Sequence, residues 1–473
     1  MVNREVLKRM KRIVIIGGGL SGLSAAYTLH KMGQEDISFD LYEKESHFNG
    51  KFETVKRDGF LIEKGPDSFL ARKKAGVQLI DELGLSDELI ANATGRSFIY
   101  NGSGLFPIPE GSVMGIPTDE AALAASKLIS EAGKAYALQE KTRPYQPIQN
   151  DTSLGEFFEA RFGKELVKGL IEPLLSGIYA GNIYNMSLRA TFPQFEKVIE
   201  KSGSLMMGLQ EPSQVNMQTT GTKNTVGAFR TLKNGLSELP NALVKALPSD
   251  SLHAGKEALK LERKGTGYSI LFADGSREEA DAVLIAATHD VVLKLLDADT
   301  AAPFENCPLS TLATISLAYE SADVASLKEG TGYLVSRTRD YRTTACTWVH
   351  KKWPHMVPDG KMLLRGFIGK AGENWIETTS DQELIDMVLA DYKEMMGLTE
   401  TPLFAEVSRM PHAMPQYDVG HLERLATFKN NLATNYPRVH VAGMSYDGVG
   451  IPDCIRQARN AAKQMAEEVN KVD

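Results

Sequence analysis

Residues 12–22 read RIVIIGGGLSG: a β-branched apolar run ends at three consecutive glycines, and an Ala-, Leu- and Tyr-bearing segment then continues to Gly33. A short apolar run closed by glycine predicts a buried parallel strand. The segment after it, stopped by Gly33, predicts a helix. Residues 37–42, ISFDLY, predict the next strand, so the chain opens with a βαβ unit. Gly17, Gly19 and Gly22 stand between strand and helix as G-x-G-x-x-G. The first glycine permits the tight turn and the second lets the backbone approach a pyrophosphate. The third lets the helix pack on the sheet, with its first amides facing the anion. Twenty-one residues after Gly22, Glu43 ends the second strand, where a carboxylate can accept both hydroxyls of an unphosphorylated adenosine ribose. Gly17, Gly18, Gly19, Leu20, Ser21, Gly22, Glu43 and Lys44 are therefore the candidate dinucleotide-binding residues, with FAD or NAD as the ligand.

The other 450 or so residues must be accommodated around that unit. At about 150 residues per domain, 473 residues suggest two or three domains. Hydrophobic residues at 42% and charged residues at 24% are ordinary globular usage, which excludes disordered, collagen-like and disulfide-scaffold classes. The formal charge of −7 argues against a nucleic-acid partner. Cys307, Cys346 and Cys454 are the only cysteines and none forms a CxxC pair, which points to a reducing, cytoplasmic compartment. No apolar run approaches the ~20 residues of a membrane span. The basic start, MVNREVLKRMKR, leads into glycines rather than a cleavage site. Peripheral contact with a membrane stays open.

Further along, residues 73–210 read as largely helical, and residues 206–222 as a mobile connection. A helix over residues 236–247 is followed by strands ending at 282–287, AVLIAA. Strand-like runs between 312 and 367 include TISLAYE and MLLRGFI, a helix is expected near 381–396, and a strand over 438–442 precedes a C-terminal helix. Strand–helix units at both ends predict a nucleotide-binding domain assembled from discontinuous segments. His350 and His355 match neither an HExxH nor a Cys/His pattern, so no metal is expected. No Gly-x-Ser-x-Gly elbow occurs and no catalytic base stands out. Cys454, at the start of the last helix, reads as a buried structural thiol.

After Glu43 the chain runs KESHFNGKFETVKRDGFLIEKGPDSF, residues 44–69. This resembles the segment that follows the dinucleotide fold in amine oxidase and protoporphyrinogen oxidase flavoenzymes. His47, Asn49, Gly50 and Lys51 stand where that pattern has a base, two glycines and a further base. Asn49 replaces a glycine, and asparagine tolerates positive φ better than most residues. Gly65, Pro66, Asp67 and Ser68 resemble the family's flavin-side turn. Residues 170–182, LIEPLLSGIYAGN, resemble a signature of the porphyrinogen-oxidising branch, as do Phe229, Leu232, Gly235 and Leu236 in FRTLKNGLSEL. Pro415, Gln416 and Tyr417 with Gly420 and His421 match a late PQY…GH motif. Gly448, Val449, Gly450 and Ile451, in DGVGIPDCIRQARNAA, would bring a helix N-terminus to the flavin edge that gains negative charge on reduction. Across residues 12–465 the chain is similar to the FAD-dependent coproporphyrinogen III oxidase and protoporphyrinogen oxidase family of the flavin amine oxidase superfamily.

The resemblance implies an α/β and α+β fold. A Rossmann-like FAD-binding domain would comprise residues 1–73, 222–305 and 406–473. A mainly helical domain, 74–221, would carry the substrate cavity and any membrane-facing surface, and a mixed-sheet substrate domain would span 306–405. Ala258 would lie beside the adenine and Met410 near the flavin ring. The implied reaction oxidises a porphyrinogen to a porphyrin by three hydride transfers, with O2 as acceptor and H2O2 as product. Propionates on the substrate call for cationic anchors, and Lys73, just beyond the flavin-side turn, is the candidate contact. Handover of the porphyrin to a ferrochelatase would follow. Coproporphyrinogen III is the preferred substrate. Protoporphyrinogen IX, an amine substrate, or a non-catalytic porphyrin-binding role remain as alternatives.

Overall fold

The computed structural model describes residues 10–210, 227–321 and 327–471; the connection expected over 206–222 lies outside them from residue 211 onward. The opening strand, Lys11–Ile16, is the middle of a five-stranded sheet in which every neighbouring pair is parallel. The strand order is Leu252–His253, Ile37–Tyr42, Lys11–Ile16, Ala282–Ile285, Val439–Val441. Residues distant in sequence thus complete one nucleotide-binding sheet. Ile13, Val14 and Ile15 are fully buried because helices and a small sheet cover both faces, as a parallel strand requires. On one face the helix Leu20–Met32 packs against the last helix, Ile451–Asn470. On the other lies the antiparallel sheet Ala258–Lys264, Gly267–Phe272, Arg277–Ala280.

The second large sheet has seven strands in the order Phe404–Pro415, Leu309–Glu320, Lys361–Ile368, Thr343–Trp348, Gly332–Val335, Ser97–Tyr100, Leu105–Pro107. It is mixed: only Ser97–Tyr100 against Gly332–Val335 is parallel. One expectation is modified here. The stretch read as largely helical from residue 73 contains the strands Leu89–Ala91, Ser97–Tyr100 and Leu105–Pro107. Ser97–Tyr100 joins the sheet through Gly332–Val335, more than 200 residues away, so local periodicity carries no trace of that pairing. The boundary expected at residue 406 falls inside Phe404–Pro415, whose hydrogen bonds run along Leu309–Glu320.

Helices between residues 120 and 208 form a third body around a core that includes Phe158, Phe162, Leu175 and Phe195. One ion pair stitches it together. Glu140, fully buried, accepts from Arg161 Nη2 at 2.8 Å, from Ser204 Oγ at 2.5 Å and from the Leu205 amide at 2.8 Å. Arg161 also donates to the carbonyls of Arg143, Pro144 and Gly203. Removing one member of such a pair leaves a buried charge without its counter-ion. Glu140→Ala is therefore expected to lower the unfolding free energy by about 3–5 kcal/mol in urea denaturation; a loss below about 1 kcal/mol would contradict the assignment.

Candidate functional site

The glycine turn has the geometry its spacing predicts. Gly17 has φ +109°, and a Cβ there would stand 2.6 Å from the Ala286 carbonyl oxygen; a Cβ on Gly22 would stand 1.9 Å from that of Gly17. Gly19 differs. Its added Cβ would meet only Gly50 Cα, at 3.6 Å, so the helix start opens on free space. That helix has no side-chain cap and no acid in its first turn, leaving amides of Leu20, Ser21 and Gly22 for an anion. Glu43 is buried beside the turn and accepts from the Gly18 amide at 2.6 Å and the Glu45 amide at 2.9 Å. Lys44 is exposed and pairs with Glu45. Ala258 begins the strand that follows His253 and Lys256, whose backbones bond to Glu43. An open cradle, bare helix amides and an acid at the strand end fit a dinucleotide.

Lys51 runs beneath this cradle. Its Nζ donates to the Ala413 carbonyl and approaches Met444 Sδ at 3.5 Å, and burial pulls its ammonium down to about 8. A phosphate or flavin oxygen nearby would raise it again. The turn of Gly65, Pro66, Asp67 and Ser68 rests on a buried charge cluster. Arg365 Nη2 donates to the Gly65 carbonyl at 2.6 Å. Asp67 Oδ2 accepts from Lys352 Nζ at 2.9 Å and Trp353 Nε1 at 3.3 Å, and Ser68 Oγ donates to Asp67 Oδ1 at 2.6 Å. Burial alone would raise the Asp67 carboxyl, but Lys352 and Arg365 hold it well below the usual carboxylate range. Arg365, Lys352 and Trp353 were not singled out from sequence; an arginine inside the apolar run MLLRGFI was the available signal.

The last helix begins at Ile451 with Gly450 as an N-cap that makes no side-chain bond. Val449 packs against the helical body and Ile451 against the nucleotide-binding core. Cys454 is buried, which pushes its thiol up to about 12. The PQY…GH motif holds this segment. Tyr417 Oη accepts the Gly448 amide at 2.9 Å and donates to the Met444 carbonyl at 2.6 Å. Gln416 Nε2 donates to the Tyr179 carbonyl at 2.8 Å, and His421 stacks on Tyr417 at 3.9 Å. The GIYAG segment and the helix start are thus tied through adjacent residues.

Between the helix Glu172–Tyr179 and the seven-stranded sheet lies a cavity of about 650 Å³, within the range of cofactor and substrate pockets. Pro173, Leu174, Gly177, Ile178, Leu312, Leu334 and Phe367 make its apolar walls. Lys168, Glu172, Arg337, Lys352, Lys370 and Glu373 supply charge. Lys352, which holds Asp67, is where the cavity meets the Gly65–Pro66 turn. Met410 pairs with the lining residue Leu312. Lys73 is not among the lining residues; it precedes the helix Lys74–Glu82 and pairs with Asp453 in the last helix. Among the described residues no group of His, Cys, Asp or Glu is placed to hold a metal, and no helix is long and apolar enough to cross a membrane.

Glu63 provides a pH test of this architecture. It accepts from the Leu236 amide at 2.6 Å and Thr54 Oγ1 at 2.9 Å, and burial raises it from an ordinary 4.5 to about 7. The folded state therefore favours the protonated acid. Its stabilising contribution is complete below about pH 4.5 and is lost as pH rises through 7. The stability difference between the native chain and Glu63→Gln is expected to fall by about 3 kcal/mol across that window in urea denaturation; a constant difference would contradict the assignment.

Residues 20–466 match the model of the flavin containing amine oxidoreductase family. The chain is 42% identical to a coproporphyrinogen III oxidase of Bacillus subtilis (strain 168), covering 95% of this chain and 97% of that one. It is 36% identical to a coproporphyrinogen III oxidase of Staphylococcus aureus (strain NCTC 8325 / PS 47), covering 97% and 100%. A crystal structure of a putative protoporphyrinogen oxidase from Exiguobacterium sp. 255-15 superposes with a TM-score of 0.86 at 36% identity, covering 97% of this chain and 99% of that one. With a glycine turn open to an anion and near-complete matches over the chain, the chain belongs to the flavin containing amine oxidoreductases and, within them, to the family of the coproporphyrinogen III oxidases.

Proposed function

We propose that the chain is an FAD-dependent oxidase that converts coproporphyrinogen III to coproporphyrin III in haem biosynthesis. The observation that carries this reading is the cavity of about 650 Å³ whose wall reaches the flavin-side turn at Lys352. Its apolar walls and charged groups suit a macrocycle bearing carboxylates, and the two relatives at 42% and 36% identity are named for that substrate.

FAD would be held by the amides after Gly19, by Glu43 at the ribose, by Lys51, and by the turn Gly65–Ser68. Ala258 would lie at the adenine, with Met410, Val449, Gly450 and Ile451 around the flavin ring. When bound, the flavin supplies the hydride acceptor, so the redox chemistry is the cofactor's. The chain's part is to orient the macrocycle, exclude bulk water and steady the developing charge. The start of the Ile451–Asn470 helix, which has no side-chain cap and whose first-turn Asp453 is paired with Lys73, would present its positive dipole to that charge. Six electrons leave the substrate in three steps, with O2 as acceptor and H2O2 as product. The same proposal places the nucleotide-binding part in residues 1–73, 222–305 and 406–473, and Lys73 at the approach to the substrate. It also places the protein in the cytoplasm, with handover of the photoreactive product to a ferrochelatase.

Anaerobic mixing of the flavin-loaded protein with coproporphyrinogen III is the test. The flavin bands are expected to bleach, and air is expected to restore them with porphyrin fluorescence and peroxide. Faster turnover of protoporphyrinogen IX would move the substrate assignment, and a flavin that never bleaches would overturn the oxidase reading. For the cofactor, Glu43→Gln is expected to weaken FAD binding about tenfold while leaving FMN, which lacks the adenosine, unaffected. Equal losses for both flavins in equilibrium dialysis would contradict the ribose contact.

A further inference from the structure

Two of the four cations that line the cavity are neutralised by carboxylates: Lys352 is paired with Asp67 at 2.9 Å and Lys370 with Asp340 at 2.6 Å. Lys168 and Arg337 line the same cavity and make no ion pair among the described residues. A guanidinium carries five N–H donors. That of Arg337 makes one hydrogen bond among the described residues, from Nη2 to Ser176 Oγ at 3.3 Å. Lys168 Nζ lies 5.5 Å over the Tyr184 ring.

The two cations are positioned together by backbone. Lys168 sits in a π-helical turn, Val167–Ile171, a distortion that occurs disproportionately at functional sites. Its carbonyl accepts from the Arg337 amide at 3.0 Å and from Ser336 Oγ at 3.3 Å. The turn and the end of the strand Gly332–Val335 thereby hold each other. Glu172, on the next helix, is the nearest candidate counter-ion, yet it bonds to neither cation and its Oε2 has no partner. Burial raises its proton affinity, and Lys168 and Arg337 only partly oppose that. Burial also lowers the proton affinity of Arg337, against the fields of Glu172 and Glu373.

We infer that Lys168 and Arg337, with the Ser176 hydroxyl, form a carboxylate-binding subsite that anchors a propionate of the substrate. The planar guanidinium matches a carboxylate with two parallel hydrogen bonds, and the ammonium adds a point charge. The assignment rests on the porphyrinogen reading above and adds the residues that grip the macrocycle's edge.

The test titrates the FAD-loaded protein with coproporphyrin III and with its tetramethyl ester in mild detergent, followed by porphyrin fluorescence. Arg337→Gln and Lys168→Gln are expected to weaken the tetracarboxylate about 10- to 100-fold. The ester should bind all three proteins alike, and Arg337→Lys should restore part of the loss. An unchanged flavin absorption spectrum identifies correctly folded variants. Native affinity for the tetracarboxylate in both variants, or equal losses for acid and ester, would overturn the subsite alone. A native protein that binds neither porphyrin would overturn the porphyrinogen reading and the subsite with it.

Discussion

Asp67 is largely enclosed between two cations that come from elsewhere in the fold, and the relation of the Gly65–Ser68 turn to the cavity depends on it. Lys352 reaches it from 285 residues away, and Arg365 grips the carbonyl of Gly65, two residues before it, from a separation of 300. Charges this deep are costly unless they compensate one another. Asp67, Arg365 and Lys352 achieve that as a group, with Ser68 and Trp353 taking the remaining lone pairs of Asp67. The cluster therefore locks one turn of the nucleotide-binding part onto a strand of the seven-stranded sheet.

A second joint closes the opposite wall. Gln416 takes the carbonyl that ends the cavity helix while its neighbour Tyr417 takes the amide of Gly448. The start of the last helix and the roof of the cavity are thus set by two adjacent side chains of one segment. Between the two joints, the space for a macrocycle is bounded on one side by a rigid mixed sheet and on the other by a buried helix. The turn and the cavity then hold a stable mutual position, as the proposed hydride transfer would require, since reacting atoms must meet at near-contact distance.

What could be read from sequence divides along the range of the interactions. Gly22 is imposed by the carbonyl of Gly17, five residues before it, so the G-x-G-x-x-G spacing discloses the turn, although the contact that bars a side chain at Gly17 comes from distant Ala286. The helix Asp381–Met396, with Ser380 and Glu383 as a capping box, lies where the local pattern put it. The strand Ser97–Tyr100 was hidden because it joins the sheet through Gly332–Val335, far along the chain, and Leu105–Pro107 adds to it only as a three-residue edge strand. Lys73 drew notice by following the flavin-side turn in sequence, yet in space it turns to Asp453. Arg365, Lys352, Lys168 and Arg337 share the converse property. Each looks ordinary among its sequence neighbours and acquires its role from a partner or a vacancy of partners that only the tertiary fold creates.

The central claim is that the cavity between the Glu172–Tyr179 helix and the seven-stranded sheet holds the macrocycle against a flavin seated along Gly65–Ser68. A crystal structure of the flavin-loaded protein with coproporphyrin III tests this most directly. The account predicts the macrocycle within that cavity, its edge at Lys168 and Arg337 and its face toward the flavin beyond Lys352. A porphyrin bound on another surface, with the cavity filled by protein or solvent, would contradict it.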